Sequence, residues 1–302
     1  MFMITLAIES LFGFAQQFAG GTIGAELFGE KESSFFAMRT GAGVVNRTGG
    51  TLGHPNQLAK YLELLIPLNL TLLFTPVSKL RKLAIAVILF MATATMILTY
   101  SRGGWIGLGI ATVICGYWCL AKLRSRLKMV SLFMIVVISA TLCIATIAIV
   151  QPVRKRLFED DYGAARSRIP MTKIAINIIQ QNPLLGLGLG NYAHEAKDVS
   201  AHIPMVVHNE YLLIAAELGV PALFLFLFIL TVVFVLLIRI SRFRYDPFLP
   251  YTAIGIFCGL LAWCIHVLIV FHYALFLSYI WFIVGLVQAM SEIQHTKKSS
   301  FE

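Results

Sequence analysis

The chain has 302 residues, 58% of them hydrophobic and 13% charged, and a mean hydropathy of +0.82. Soluble domains carry roughly 45–50% apolar and about 25% charged residues, so this composition excludes an ordinary soluble globule and indicates a polytopic membrane protein. The formal charge of +9 does not indicate a nucleic-acid partner, because the basic residues stand in short runs between apolar stretches, as in cytoplasmic membrane loops.

A bilayer needs about 20 mostly apolar residues per helix. In chain order, the predicted spans are 1–20, 57–75, 83–100, 105–121, 129–150, 220–238, 250–270 and 272–290. The first carries Glu9 and two glutamines, and it lacks the basic start and cleavage site of a signal peptide. The expectation is an all-α transmembrane bundle of seven or eight spans, a single integral domain over residues 1–302.

The basic runs are Lys79, Arg81 and Lys82; Lys122, Arg124, Arg126 and Lys128; Arg239, Arg242 and Arg244; and Lys297 with Lys298. Alternating spans put all four on one side, which the positive-inside rule makes cytoplasmic. The other side then holds 21–56, the tight turn 101–104, and 151–211, the one sizeable loop outside the membrane. Cys115, Cys119, Cys143, Cys258 and Cys264 all lie in apolar runs. They read as small buried hydrophobes, with neither a disulfide framework nor a metal site.

The outer side also carries arginines that break the charge trend: Arg47, Arg102, Arg154, Arg156, Arg166 and Arg168. Arg154 and Arg156 stand close to Glu159, Asp160 and Asp161 and read as solvated charges. Arg102, in "TYSRGGW", has almost no loop around it, and charge at a helix end in lipid faces a cavity or a partner. Arg47 opens "RTGGTLGHPNQLAKYL". Two readings fit it: a guanidinium in an anion-binding turn with free amides, or a snorkelling arginine in an ordinary turn. His54, next to Pro55, reads as a polar turn residue.

In "ARSRIPMTKIAINIIQQNPLLGLGLGNY", residues 165–192, Met171, Ile174, Ala175, Ile178 and Ile179 recur at helical spacing. The expectation is an amphipathic helix along the outer membrane surface, ending before Pro183, with Arg166 and Arg168 at its start. "GLGLG" lacks the strand and helix of a dinucleotide loop and reads as a flexible turn. Next, "VVHNEYLLIAAELGVPA", residues 206–222, predicts a short helix capped near Asn209 or His208 and stopped at Gly219, before a span starting at Pro221. His208 then lies at a helix N-terminus, where the dipole and nearby arginines disfavour imidazolium. A neutral imidazole is what a general base requires; a cap or interface histidine with no chemistry is the other reading. Glu217 is expected to pair with an arginine, to hold the histidine ring, or to serve as a structural acid.

Taken together, these stretches resemble the O-antigen ligase/polymerase superfamily of bacterial inner membranes. The ligases carry a histidine, then Asn, Ser or Gln, and further on Gly-x-x-Gly; His208, Asn209 and Gly219 match, and Ala222 replaces the last glycine. "RTGGTLGHPNQLAKYL" is similar to the family's Arg…Gly…Pro-Asn segment, "YSRGGW" to its Ser-Arg-Gly turn, and "NPLLGLGLGNY" to its Pro-x-x-Gly-x-Gly segment.

The resemblance covers about residues 40–240. It implies a metal-independent glycosyltransferase without cofactor, in the inner membrane with its site facing the periplasm. The donor would be a glycan on undecaprenyl diphosphate and the acceptor a lipid or glycan hydroxyl. His208 would be the general base, within the loop 151–211. Arg47, Arg102, and Arg166 or Arg168 would hold the diphosphate, with Asn209, Glu217, Gly219 and Asn56 in support. Family members carry more spans than this chain, so N-terminal spans of the family are expected to be missing. Rival readings are a polymerase with the same donor, a protein O-oligosaccharyltransferase, a transporter of lipid-linked glycan, and an inactive truncated paralogue. A transporter would place ionisable residues near mid-span, where Glu9, Glu63 and His266 are the candidates.

Overall fold

The computed structural model describes residues 2–31, 37–40, 43–122, 168–199, 206–270 and 278–299. Two compact units divide the chain: Met1–Asp160 with Ser241–Trp263, and Asp161–Ile240 with Cys264–Glu302. The predicted span 129–150, Cys143, and the arginines Arg154, Arg156 and Arg166 lie outside the described residues.

In the first unit, α1 (Phe2–Ala19), α2 (Pro55–Leu72), α3 (Lys79–Leu98) and α4 (Arg102–Ala121) pack together. Helix α1 lies against α2 and α3, and α2 against α3 and α4. Most of a later helix, Leu249–His266, completes the unit. Its Ile254, Cys258 and Ala262 meet Ala111, Cys115 and Cys119 of α4 in one fully buried cluster. The three cysteines there are free and buried, as their place in apolar runs predicts. Small residues let these backbones approach closely, the usual device where lipid removes the hydrophobic drive between helices. A Cβ on Gly259 would stand 2.6 Å from the Leu64 carbonyl oxygen.

The described residues are overwhelmingly helical, as the all-α expectation has it, with one short hairpin besides. Strands β1 (Ala37–Thr40) and β2 (Gly43–Asn46) pair antiparallel, with Ala37 opposite Asn46 and Thr40 opposite Gly43. Four-residue strands are too short to register against a hydropathy window of about 19 residues.

The second unit contains α5 (Arg168–Gln181), α6 (Tyr192–Val199), α7 (Glu210–Leu218), α8 (Val220–Ser241) and the last helix, α10 (Ser278–Ser299); α9 is Leu249–His266. Helix α5 is not a membrane-surface helix on its apolar stripe. Ala175 and Ile178 are buried with Tyr192, Ala196, Val207, Leu213 and Ala216, and Ile174 and Ile179 pack against the same cluster. Helical spacing marks a face that must be covered, but it does not say whether lipid or protein covers it.

Among the described residues five helices are long and apolar enough to cross a membrane: α1, α3, α4, α8 and α9. Several such helices in one chain indicate a multi-pass membrane protein. Helix α2 occupies the predicted span 57–75, interrupted by Pro67 and carrying Lys60 and Glu63. Helix α10 begins inside the predicted span 272–290 and continues past it to Ser299.

Candidate functional site

Arg47 and Arg102 belong to the first unit, and Arg168 and His208 to the second.

Arg47 follows β2 at the start of a turn into α2. Polar residues of α1 hold this turn. The Gln16 Oε1 accepts from the Thr48 hydroxyl at 2.8 Å and from the Gly49 and Gly50 amides at 3.1 and 2.8 Å. Glu9 accepts from the Thr51 amide at 3.1 Å and from its hydroxyl. The Glu9 and Gln16 that interrupt the first apolar run are therefore buried partners of backbone groups, which explains how a polar side chain persists in a span.

The Arg47 guanidinium is held on two sides. Its Nε donates to the Thr99 carbonyl at 2.8 Å and its Nη2 to the Asn56 Oδ1 at 2.9 Å. Both of these acceptors are neutral. Asn56 is itself positioned: His54 is the N-cap of α2, and its Nδ1 accepts from the Asn56 amide at 3.0 Å, with Pro55 at the first helical position. Burial, then the charges of Arg47 and Lys60, lower the His54 pKa from 6.5 to about 4.

Thr99 begins the three-residue turn between α3 and α4, so Arg47 is joined to the turn that carries Arg102. Tyr100 there adopts φ 50°, the left-handed region that non-glycine residues seldom occupy, and Arg102 is the first residue of α4. Two residues on, a Cβ at Gly104 would meet Ala59 Cβ at 3.1 Å and Glu63 Oε1 at 3.2 Å. Glycine there lets the first turn of α4 press against α2.

In the second unit, Asn209 is the N-cap of α7, its Oδ1 accepting from the Leu212 amide at 3.0 Å. Glu210 sits in the first turn, where an acid suits the helix dipole, and is buried. The Glu210 amide donates to the Val267 carbonyl at 2.9 Å, and the Tyr211 hydroxyl to the Cys264 carbonyl at 3.1 Å. The start of α7 is thus anchored, and His208 stands just before the cap, half-buried. Burial first, then the Arg168 charge, lower the His208 pKa below its ordinary 6.5; a Val206 backbone hydrogen bond acts the other way. Arg168 is the first residue of α5, which packs on α7.

The other end of α7 corrects one expectation. "GLGLG" is not a flexible turn but a clasp: the Leu187 and Gly188 amides donate to the Ala216 and Glu217 carbonyls at 2.9 and 2.8 Å. The Val220 amide donates to the Pro183 carbonyl at 2.8 Å. These bonds satisfy carbonyls that a helix end leaves without intrahelical partners. Gly219, at φ 87°, lies so close to the Leu184 carbonyl that a Cβ would collide with it. Of the three readings of Glu217, the structural acid fits: buried, it accepts from the Tyr192 amide at 3.2 Å, at the start of α6.

Sequence reasoning missed His54 as a cap, although His54-Pro55-Asn56 carries the helix-start signal of a polar residue followed by proline. It also passed over Lys60, which is fully buried in α2 and interacts electrostatically with Glu63 three residues on. The Thr99 carbonyl had no signal at all, because every residue carries one. Among the described residues no group of His, Cys, Asp or Glu side chains could hold a metal ion.

No curated protein matches the chain. Residues 86–227 match the family model for O-antigen ligase; the match contains Arg102, Arg168, His208, Asn209, Glu217 and Gly219, and stops short of Arg47 and Asn56. That match supports the O-antigen ligase/polymerase superfamily over this part of the chain.

Proposed function

We propose that this protein is a metal-independent glycosyltransferase that moves a glycan from undecaprenyl diphosphate to an acceptor hydroxyl, at the periplasmic face of the inner membrane. The observation that carries the reading is His208: a half-buried imidazole beside an anchored helix start, with a pKa lowered by burial and by Arg168. Such a group is neutral at pH 7 and takes the proton from the attacking hydroxyl. The candidates for holding the diphosphate and stabilising the charge that develops as it leaves are Arg47 and Arg102 in the first unit and Arg168 and Arg166 in the second. Charge-assisted pairs serve this role without a cation. Asn209, Glu217 and Gly219 keep α7 in place, and Asn56 holds Arg47. Ligase and polymerase differ in this scheme by the acceptor, a lipid or a growing glycan.

The test is transfer from a lipid-diphosphate glycan in proteoliposomes. His208→Ala is expected to lower the rate by about 10²-fold or more; an unchanged rate would remove the base. Arg102→Lys is expected to lower it about tenfold if planar, two-pronged binding matters; full activity would mean that a point charge suffices. The buried Lys60 and Glu63 of α2 favour a second reading, a transporter of the same lipid. It predicts lipid flipping that is lost in Lys60→Gln yet indifferent to His208→Ala.

A further inference from the structure

Resting on the reading that Arg47 binds diphosphate, we propose that His54 is a positioning residue of this site: by accepting the Asn56 amide on Nδ1, it sets the Asn56 side chain that holds the Arg47 guanidinium. The chain of contacts is short and directional, from His54 Nδ1 to the Asn56 amide at 3.0 Å, and from Asn56 Oδ1 to Arg47 Nη2 at 2.9 Å. The Thr99 carbonyl takes the Arg47 Nε at 2.8 Å and closes the other side. An arginine side chain loses rotamer entropy when it is ordered, and these two acceptors fix its geometry before a ligand arrives.

The histidine suits this task because it must be an acceptor at Nδ1. The imidazolium has no acceptor, and burial together with the Arg47 and Lys60 charges disfavours imidazolium. The same positive surroundings that keep His54 neutral draw an anion. His54 touches no substrate in this scheme and acts through Arg47.

The experiment measures binding of undecaprenyl diphosphate to the full chain in nanodiscs, for wild type, His54→Ala, His54→Asn, Arg47→Ala and the double variant His54→Ala/Arg47→Ala. Arg47→Ala is expected to raise Kd by about tenfold or more, and His54→Ala by about threefold to tenfold. His54→Asn, whose side-chain oxygen caps a helix equally well, is expected to stay within about twofold of wild type. The double variant is expected to bind no worse than Arg47→Ala alone, since the histidine acts through the arginine. Additive losses, or a His54→Ala Kd equal to wild type beside an impaired Arg47→Ala, would overturn the positioning role and leave the diphosphate reading intact. An unimpaired Arg47→Ala would overturn both.

Discussion

His208 is one of seven histidines in the chain; unlike His54, whose Nδ1 itself caps α2, it stands just before a cap that Asn209 supplies. It is half-buried, next to a capped helix, with the Arg168 charge within electrostatic reach. A base works while it is neutral, and the neutral fraction falls as pH drops through the folded pKa. Since that pKa is lowered from 6.5, the acid limb of kcat/KM is expected below pH 6.5. Arg168→Gln removes one of the two causes of the lowering, so the limb should move to higher pH, though burial remains. A pH profile of transfer with this variant checks it, reading the position of the limb rather than its height; a limb that stays or moves down contradicts the assignment. The neighbourhood of His208 was legible in part. Asn209 as a cap and Gly219 as a stop are local signals, readable within one turn. The role of Glu217 was not, because its partner, the Tyr192 amide, lies 25 positions away.

Among the elements, α7 and its clasp decide how firmly His208 is held. The nine-residue helix is too short to be stable by itself, since isolated helices below about 12–15 residues are marginal in water. Its stability comes from the buried face that meets α5 and from the "GLGLG" amides that cap its last carbonyls. Gly219→Ala introduces a Cβ against the Leu184 carbonyl at a positive φ, a strain of about 1–3 kcal/mol. The expected result is a lower thermal midpoint and lost transfer, with undecaprenyl diphosphate binding at Arg47 little changed. A variant with wild-type midpoint and activity would show that the clasp does not matter. The same element shows why the α5 stripe was misassigned. Periodicity at 3.6 residues is satisfied by any apolar neighbour, and Leu213 and Ala216 of α7 cover it in place of lipid.

For the whole molecule, orientation is the testable quantity. Helix α3 has 20 residues and α8 has 22, about 30 Å and about 33 Å at 1.5 Å per residue, which matches a bilayer core. The Lys79–Lys82 run and the Arg102 turn therefore lie at opposite ends of α3, and the clasp and Arg239 at opposite ends of α8. With basic loops cytoplasmic, single cysteines at Lys31 and Asn191, in an otherwise cysteine-free chain, should react with an impermeant maleimide in intact spheroplasts. Cysteines at Ser78 and Arg242 should react after lysis alone. Mixed labelling within either pair would break the topology on which a periplasmic site depends.

The order of apolar runs, the alternation of basic loops and the cap and stop residues of α7 determined by themselves that this is a helical membrane protein and, within a few residues, where most of the described helices lie. Those properties depend on neighbours within a turn or on the composition of a single span, and a linear sequence carries both. Packing alone decided which groups hold Arg47, what covers the α5 stripe and what Glu217 bonds. The Thr99 carbonyl stands 52 positions from Arg47, and a backbone acceptor leaves no mark in the sequence; its meeting with that guanidinium arises when β2, α2 and the α3–α4 turn fold against one another.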